Sequence, residues 1–130
     1  MPKITQLVIA MENKPGALAH LCSTLGQAGV NIFAMLAPEQ KGKAKLRLVV
    51  DHPARVKELL KLAKFRVTEE DVLAVSLENR PGALAEVAQK LAKARINIKY
   101  AYATTNSGTP RATVILAVAN VQKALAALGE

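Results

Sequence analysis

The spacing of apolar residues changes from that of a strand to that of a helix within the first 28 positions. Alternate residues from Ile4 to Met11 are apolar on one side, which predicts a β-strand. Apolar residues then recur three and four positions apart from Leu18 to Ala28, which predicts an amphipathic helix. Pro15 stands just before this helix, where the missing N–H of proline costs no hydrogen bond.

The next part of the chain continues the alternation between strand and helix patterns. A second strand is expected over Val30–Ala37 and a third over Lys45–Asp51. A second helix begins at Pro53, and a short fourth strand follows over Phe65–Thr68. Gly29 is expected to end the first helix in the left-handed conformation.

The whole pattern then occurs a second time, 66 residues later. The segment Glu12-Asn13-Lys14-Pro15-Gly16-Ala17-Leu18-Ala19 returns at positions 78–85 with only Lys14 exchanged, for Arg80. An internal repeat indicates that each copy is one structural unit. The second copy predicts strands over 72–77, 96–104 and 111–118, and a last helix over 121–128 capped by Asn120. It ends without a counterpart of the fourth strand.

The order of these elements predicts an α+β fold made of two ferredoxin-like βαββαβ modules, residues 1–69 and 70–130. Each would be an antiparallel sheet with its helices on one face, and the second would lack its last strand. Glu69-Glu70-Asp71 is expected to form a solvated turn between the modules. Val72–Leu77 would then be an edge strand with unpaired backbone groups, which favours a homodimer.

Composition and charge narrow the class of protein. Hydrophobic residues make up 51% of the chain, which is typical of a folded globular protein. No apolar run approaches the roughly 18 residues of a membrane span, so no membrane partner is expected. The single cysteine excludes an internal disulfide and fits the reducing cytoplasm.

The net charge of +8 raises the question of nucleic-acid binding. The densest basic cluster comprises Lys41, Lys43, Lys45 and Arg47. RNA-recognition modules share the predicted topology, but they stack bases on aromatic residues of the first and third strands. Neither predicted strand contains an aromatic residue. The cluster is therefore interpreted as a solvated hairpin that protects a strand.

The repeated turn is the best candidate for chemistry. Proline fixes the entry into the helix, and free N–H groups at the helix start suit a carboxylate. The amides of Asn13 and Asn79 can donate to a carboxylate and accept from an ammonium group. Asn31 and Asn97, just before the next strands, add a second amide of this kind. Together these groups suit a zwitterion.

Catalytic, metal and cofactor sites find no support in the sequence, and the protein is not expected to be an enzyme. Cys22 lies on the apolar side of the first helix, where an inert thiol is expected. His20 and His52 are isolated from any metal-ligand spacing. Glu12 and Glu78 each lack an acidic partner for acid–base catalysis.

The turn, followed after the helix by Gly29-Val30-Asn31-Ile32, resembles the ACT domain, a small amino-acid-binding module that regulates metabolic enzymes. It resembles in particular the serine-binding module of 3-phosphoglycerate dehydrogenase. That module has a histidine before its Glu-Asn pair, where this chain has Met11 and Leu77, which weighs against serine. The resemblance implies ligand contacts at Asn13, Pro15, Gly16 and Asn31 in one module, and at Asn79, Pro81, Gly82 and Asn97 in the other.

The sequence thus favours a non-catalytic sensor of an amino acid or related small acid, with its sites at the turns and where modules meet. It would act as a homodimer or on a metabolic enzyme. Two alternatives remain: an RNA-binding domain of the RRM type, and a purely structural oligomerisation module. In the second case the Pro-Gly turns would only shape the fold.

Overall fold

The chain folds into two compact units, Thr5–Glu70 and Asp71–Glu130, and Met1–Ile4 belong to the second. The computed structural model describes residues 3–12, 14–38, 43–104 and 108–129, with only the backbone of residues 43 and 44. The units differ from the predicted modules at residue 70 and in the first four residues. That residues 1–69 and 70–130 are separate folding domains stays a prediction.

The first unit has the predicted element order. Its elements are β1 (Lys3–Glu12), α1 (Ala17–Gln27), β2 (Ile32–Leu36), β3 (Lys43–Val50), α2 (Pro53–Leu62) and the start of β4 (Arg66–Glu78). The strand order is β2-β3-β1-β4, and β3 is antiparallel to both β1 and β2. This order confirms the ferredoxin-like arrangement.

The second unit repeats this arrangement. From Asp71 it contains the rest of β4, then α3 (Ala83–Lys93), β5 (Ile98–Thr104), β6 (Arg111–Val118) and α4 (Val121–Ala127). The strand order is β4-β6-β5, with antiparallel pairing. No strand follows α4 within the described residues, which end at 129. The described residues of the second module thus end with α4, in agreement with the sequence pattern.

The prediction of a turn at Glu69-Glu70-Asp71 was wrong. These residues lie inside β4, a single strand of 13 residues that contains positions 66–68 of the predicted strand 65–68 and all of the predicted strand 72–77. Lys57 pairs with Glu69 at 3.2 Å, and Lys3 pairs with Asp71 at 3.9 Å. β4 neighbours both β1 and β6 in the sheet, and its residues Leu73–Glu78 pair with β6.

Each unit has its own core between its strands and its helices. Leu7 and Leu73, equivalent in the repeat, are fully buried in the two cores. In the first core the buried residues are Leu7, Ile9, Leu21, Leu25, Leu46, Leu48, Val50, Val56, Leu60 and Val67. In the second they are Leu73, Val87, Leu91, Ile96, Val114, Leu116, Val118, Ala124 and Leu125. Leu18 and Leu84, which the helical pattern placed on the buried stripes, are exposed.

The helix ends agree with the expected signals. Gly29 has φ 72° after α1, and Arg95, at the equivalent position after α3, has φ 58°. Arginine adopts this left-handed conformation at a steric cost that glycine avoids. Asn120 caps α4, because its side-chain oxygen accepts a hydrogen bond of 3.0 Å from the backbone N–H of Lys123.

Candidate functional site

The two Pro-Gly turns have the same backbone geometry. Gly16 and Gly82 both have φ 87°, and each immediately precedes a helix, α1 or α3. A Cβ atom on Gly16 would meet no atom within 4 Å. Glycine is therefore required here for the left-handed backbone and not for close packing against the protein. No side chain of the described residues caps either helix start.

The second turn is held by hydrogen bonds to the segment before β6. The side-chain N–H of Asn79 donates to the carbonyl oxygen of Thr109 at 2.9 Å. The backbone N–H of Asn79 donates to the carbonyl oxygen of Pro110 at 3.0 Å. Asn79 thus positions the turn in this structure. Its counterpart Asn13 lies outside the described residues.

The charged residues differ between the turns. Arg80 contacts the carboxylates of Glu78 at 2.8 Å and Glu86 at 3.0 Å. The hydrogen bond from Arg80, and then its charge, hold the pKa of Glu78 below its usual value. In the first turn Lys14 pairs with Glu12 at 3.2 Å. His20 occupies the position equivalent to Glu86, so this turn lacks the second carboxylate.

Within one module, the structure does not bring the predicted strand residue to the predicted turn. β3 pairs Lys43 with Glu12, beside the first turn, and Val50 with Ile32, beside Asn31. The length of β3 therefore separates Asn31 from Pro15 and Gly16, roughly 23 Å at about 3.3 Å per residue.

The same separation occurs in the second module, where β6 has the role of β3. Its first residue, Arg111, pairs with Glu78, and its last, Val118, pairs with Ile98. Asn97 is bound near the far end, where its carbonyl oxygen accepts from the N–H of Ala119 at 3.1 Å. Asn97 thus lies far from Pro81 and Gly82.

A groove of about 810 Å³ opens beside the first turn, and we call it the first-module groove. It lies between the end of β1, the start of α1 and the segment that joins α2 to β4. Its lining residues are Ala10, Met11, Glu12, Lys14, Pro15, Gly16, Ala17, His20, Ala63, Lys64, Phe65 and Arg66. The equivalent cavity of the second module, beside Leu77 and Ala83, has a volume of about 220 Å³.

Of these twelve residues only Pro15 and Gly16 were predicted as site residues, whereas the others, among them His20, Lys64, Phe65 and Arg66, were not. His20 was set aside because it has no neighbouring metal ligand in sequence. The available signal was the topology, since a ferredoxin-like module places the end of its second helix beside the start of its first. Cys22, expected to be buried, is half-buried.

Within residues 3–12, 14–38, 43–104 and 108–129, no three His, Cys, Asp or Glu side chains are placed to hold a metal ion. No helix in the same residues is long and apolar enough to cross a membrane.

The duplicated fold and its duplicated turns agree with a family model. Residues 2–127 match the model of the ACT domain pair. The chain is a pair of ACT domains. The resemblance seen in the repeated turn therefore extends over nearly the whole sequence. No curated protein matches this ACT pair significantly.

Solved structures show the same fold. A protein from Bacteroides thetaiotaomicron is 31% identical, with a TM-score of 0.91 over 98% of this chain and 87% of that one. The ligand-free regulatory subunit of aspartate kinase from Thermus thermophilus is 20% identical, with a TM-score of 0.69 over 96% and 90% of the two chains. The corresponding subunit from Thermus flavus is 17% identical, with a TM-score of 0.60 over 99% and 95%.

Proposed function

We propose that this ACT pair is a non-catalytic regulatory protein of the cytoplasm that senses an amino acid or a related small acid. The observation that carries the proposal is the family match over residues 2–127. The regulated activity would belong to another protein, such as a metabolic enzyme, or would follow from a change of assembly. RNA binding finds less support, because β1 and β3, the strands on which an RRM stacks bases, contain no aromatic residue.

The proposed ligand contacts are the turn residues and the two strand asparagines. Amide groups that both donate and accept hydrogen bonds complement the ammonium and carboxylate groups of an amino acid. Since a strand separates the turn from the asparagine in each module, one small ligand cannot contact both within a single module. The proposed set is Asn13, Pro15, Gly16, Asn31, Asn79, Pro81, Gly82 and Asn97.

A thermal-shift screen with the twenty amino acids tests the proposal. Ligand at about 100 times its Kd should stabilise the native state by roughly 2.7 kcal/mol, which raises the melting temperature. For the amino acid that binds, calorimetry on Asn13→Ala, Asn31→Ala, Asn79→Ala and Asn97→Ala should show a loss of about 1–3 kcal/mol at each contact.

Asn120→Ala is the matched control, because Asn120 caps α4 and is not among the proposed contacts. Asn120→Ala should lower the melting temperature, because the helix cap is lost, and should leave the affinity for the amino acid unchanged. Asn79→Ala should lower both quantities, since it also removes the hydrogen bond to Thr109. If none of the twenty amino acids shifts the melting temperature, amino-acid sensing is excluded.

We also propose that the ACT pair is a homodimer. The sequence placed the interface at Val72–Leu77, which lies within β4, a strand that also neighbours β1. The support now comes from β2, an edge strand whose Phe33 and Met35 are 57% and 42% exposed. Two large apolar side chains on one face of an edge strand are typical of a surface that is covered by a partner.

Light scattering at micromolar concentration should therefore give twice the 13.9 kDa mass of the chain. Phe33→Glu combined with Met35→Glu should give the monomer, because charges would be buried in the interface. Leu62→Glu is the control, since Leu62 is 82% exposed but lies on α2. A monomeric wild-type protein would contradict the proposal.

A further inference from the structure

We propose that the first-module groove binds a small organic dianion, a ligand class other than the amino acid proposed above, although Pro15 and Gly16 belong to both sets of contacts. The groove volume of about 810 Å³ lies within the range of small-molecule sites, roughly 300–1,000 Å³. All its lining residues belong to the first unit, Thr5–Glu70. Asn31 is not among them.

The charges of the residues that line the groove favour a negatively charged ligand. The groove is lined by three basic residues, Lys14, Lys64 and Arg66, and by a single carboxylate, that of Glu12. Lys14 already pairs with Glu12. Among the described residues, Lys64 and Arg66 have no carboxylate within ion-pair distance. The groove therefore has two uncompensated positive charges, which complement a dianion.

The segment that carries these charges is fixed by the backbone. Lys64 has the left-handed φ of 73°, which is rare for a residue with a side chain. The N–H of Lys64 donates to the carbonyl oxygen of Lys61 at 3.0 Å, and that of Phe65 donates to Leu60 at 2.9 Å. These are the hydrogen bonds of a helix C-terminal cap, the same left-handed end that α1 has at Gly29 and α3 has at Arg95, and they fix the course of the segment beside the groove.

An apolar wall completes the groove. Met11 and Phe65 pack against the first core and also line the groove. The ring of Phe65 lies 5.3 Å from that of His20, measured between centroids. A ligand with a short hydrocarbon body between or beside its charges could cover these apolar groups, whereas inorganic phosphate could not.

The second module serves as an internal comparison, because its equivalent cavity lacks the excess of basic residues. Its cavity is lined by one acidic and one basic residue, Glu86 and Lys90, so the charge is balanced. Arg80, the counterpart of Lys14, is held by Glu78 and Glu86. The dianion site is therefore expected in the first module alone.

Calorimetry with two probes, succinate and glycerol 3-phosphate, tests the proposal and distinguishes a dicarboxylate from a phosphomonoester. At least one should bind saturably with a stoichiometry of one per chain, and inorganic phosphate should bind more weakly. In amide NMR spectra, the shift changes should concentrate at residues 14–20 and 63–66, and not at 80–86. Equal changes in both modules, or no saturable binding of either probe, would overturn the proposal.

Charge variants separate a built site from general attraction to a basic protein. Lys64→Gln with Arg66→Gln should weaken binding by roughly tenfold for each lost charged contact. The matched control, Arg55→Gln with Lys61→Gln, removes the same charge from α2 residues that do not line the groove. Equal weakening by both double variants would mean that net charge alone attracts the anion, contrary to the proposal.

A third variant gives the first module the carboxylate that the second module has at Glu86. His20→Glu should place a carboxylate near Lys14, as Glu86 is placed near Arg80 at 3.0 Å. We expect it to weaken dianion binding at least tenfold and to leave the far-UV circular dichroism unchanged, since His20 is exposed. Undiminished affinity in this folded variant would contradict the assignment of the site.

Discussion

Leu7→Ala and Leu73→Ala should each lower the free energy of unfolding by about 2–5 kcal/mol, the usual effect of truncating a buried leucine. Both side chains are 0% exposed, each lies in the core of its own module, and the two are equivalent in the repeat. Truncation removes apolar contacts and leaves a cavity that close-packed surroundings fill only in part. Urea denaturation followed by circular dichroism measures the change.

Leu62→Ala is the control for these variants, because Leu62 is exposed on α2. Its effect should stay within about 0.5 kcal/mol. Hydrogen exchange then tests the division into domains. Leu7→Ala should accelerate exchange in residues 5–70, and Leu73→Ala in residues 71–129. If either variant accelerates exchange equally in both ranges, the modules unfold as one cooperative unit and the predicted division is wrong.

Gly16→Ala and Gly82→Ala should each destabilise the protein by about 1–2 kcal/mol, because a Cβ atom is disfavoured in the left-handed conformation. Both residues have φ 87°. The nearest atom to a Cβ on Gly82 would be a side-chain nitrogen of Arg80 at 3.9 Å, an ordinary contact. The expected loss is therefore conformational and not steric crowding by neighbours.

Gly26→Ala is a control of opposite sign. Gly26 lies inside α1 with no positive φ, and an added Cβ there meets nothing within 4 Å. Alanine at a helix position is favoured over glycine by about 0.5–1 kcal/mol, so this variant should be more stable than the wild type. Thermal melts of the three variants measure the differences. Equal effects at Gly16 and Gly26 would show that the left-handed backbone is not the reason why both turns contain glycine.

Local signals in the sequence were enough to predict most of the fold. Apolar spacing predicted α1, α2 and α3 and most of their buried positions, with Leu18 and Leu84 as exceptions, because burial on one side requires a period of 3.6 residues. The start of α2 at Pro53 and the cap at Asn120 follow from backbone chemistry within a few residues. The repeat identified the two modules, since equal patterns fold into equal units.

The wrong prediction at Glu69-Glu70-Asp71 shows what local signals in the sequence do not predict. Three consecutive acidic residues are typical of a solvated turn, but here they lie inside β4, a strand that pairs with β1. Exposed carboxylates can stay in water on a strand, and those of Glu69 and Asp71 also meet lysines from distant parts of the chain. Strand pairing between segments about 60 residues apart decides the conformation, and no local pattern reports it.

Residue spacing and local backbone preferences are enough to predict the two ACT domains, their element order and the repeated turns. Which residues share a site depends on how the strands and helices pack. The tertiary structure separated Asn31 from Gly16 by the length of β3, and it brought Lys64, Phe65 and Arg66 to the first turn. Spatial proximity arises from strand pairing and helix packing over long sequence separations, so it becomes visible only when the chain is folded.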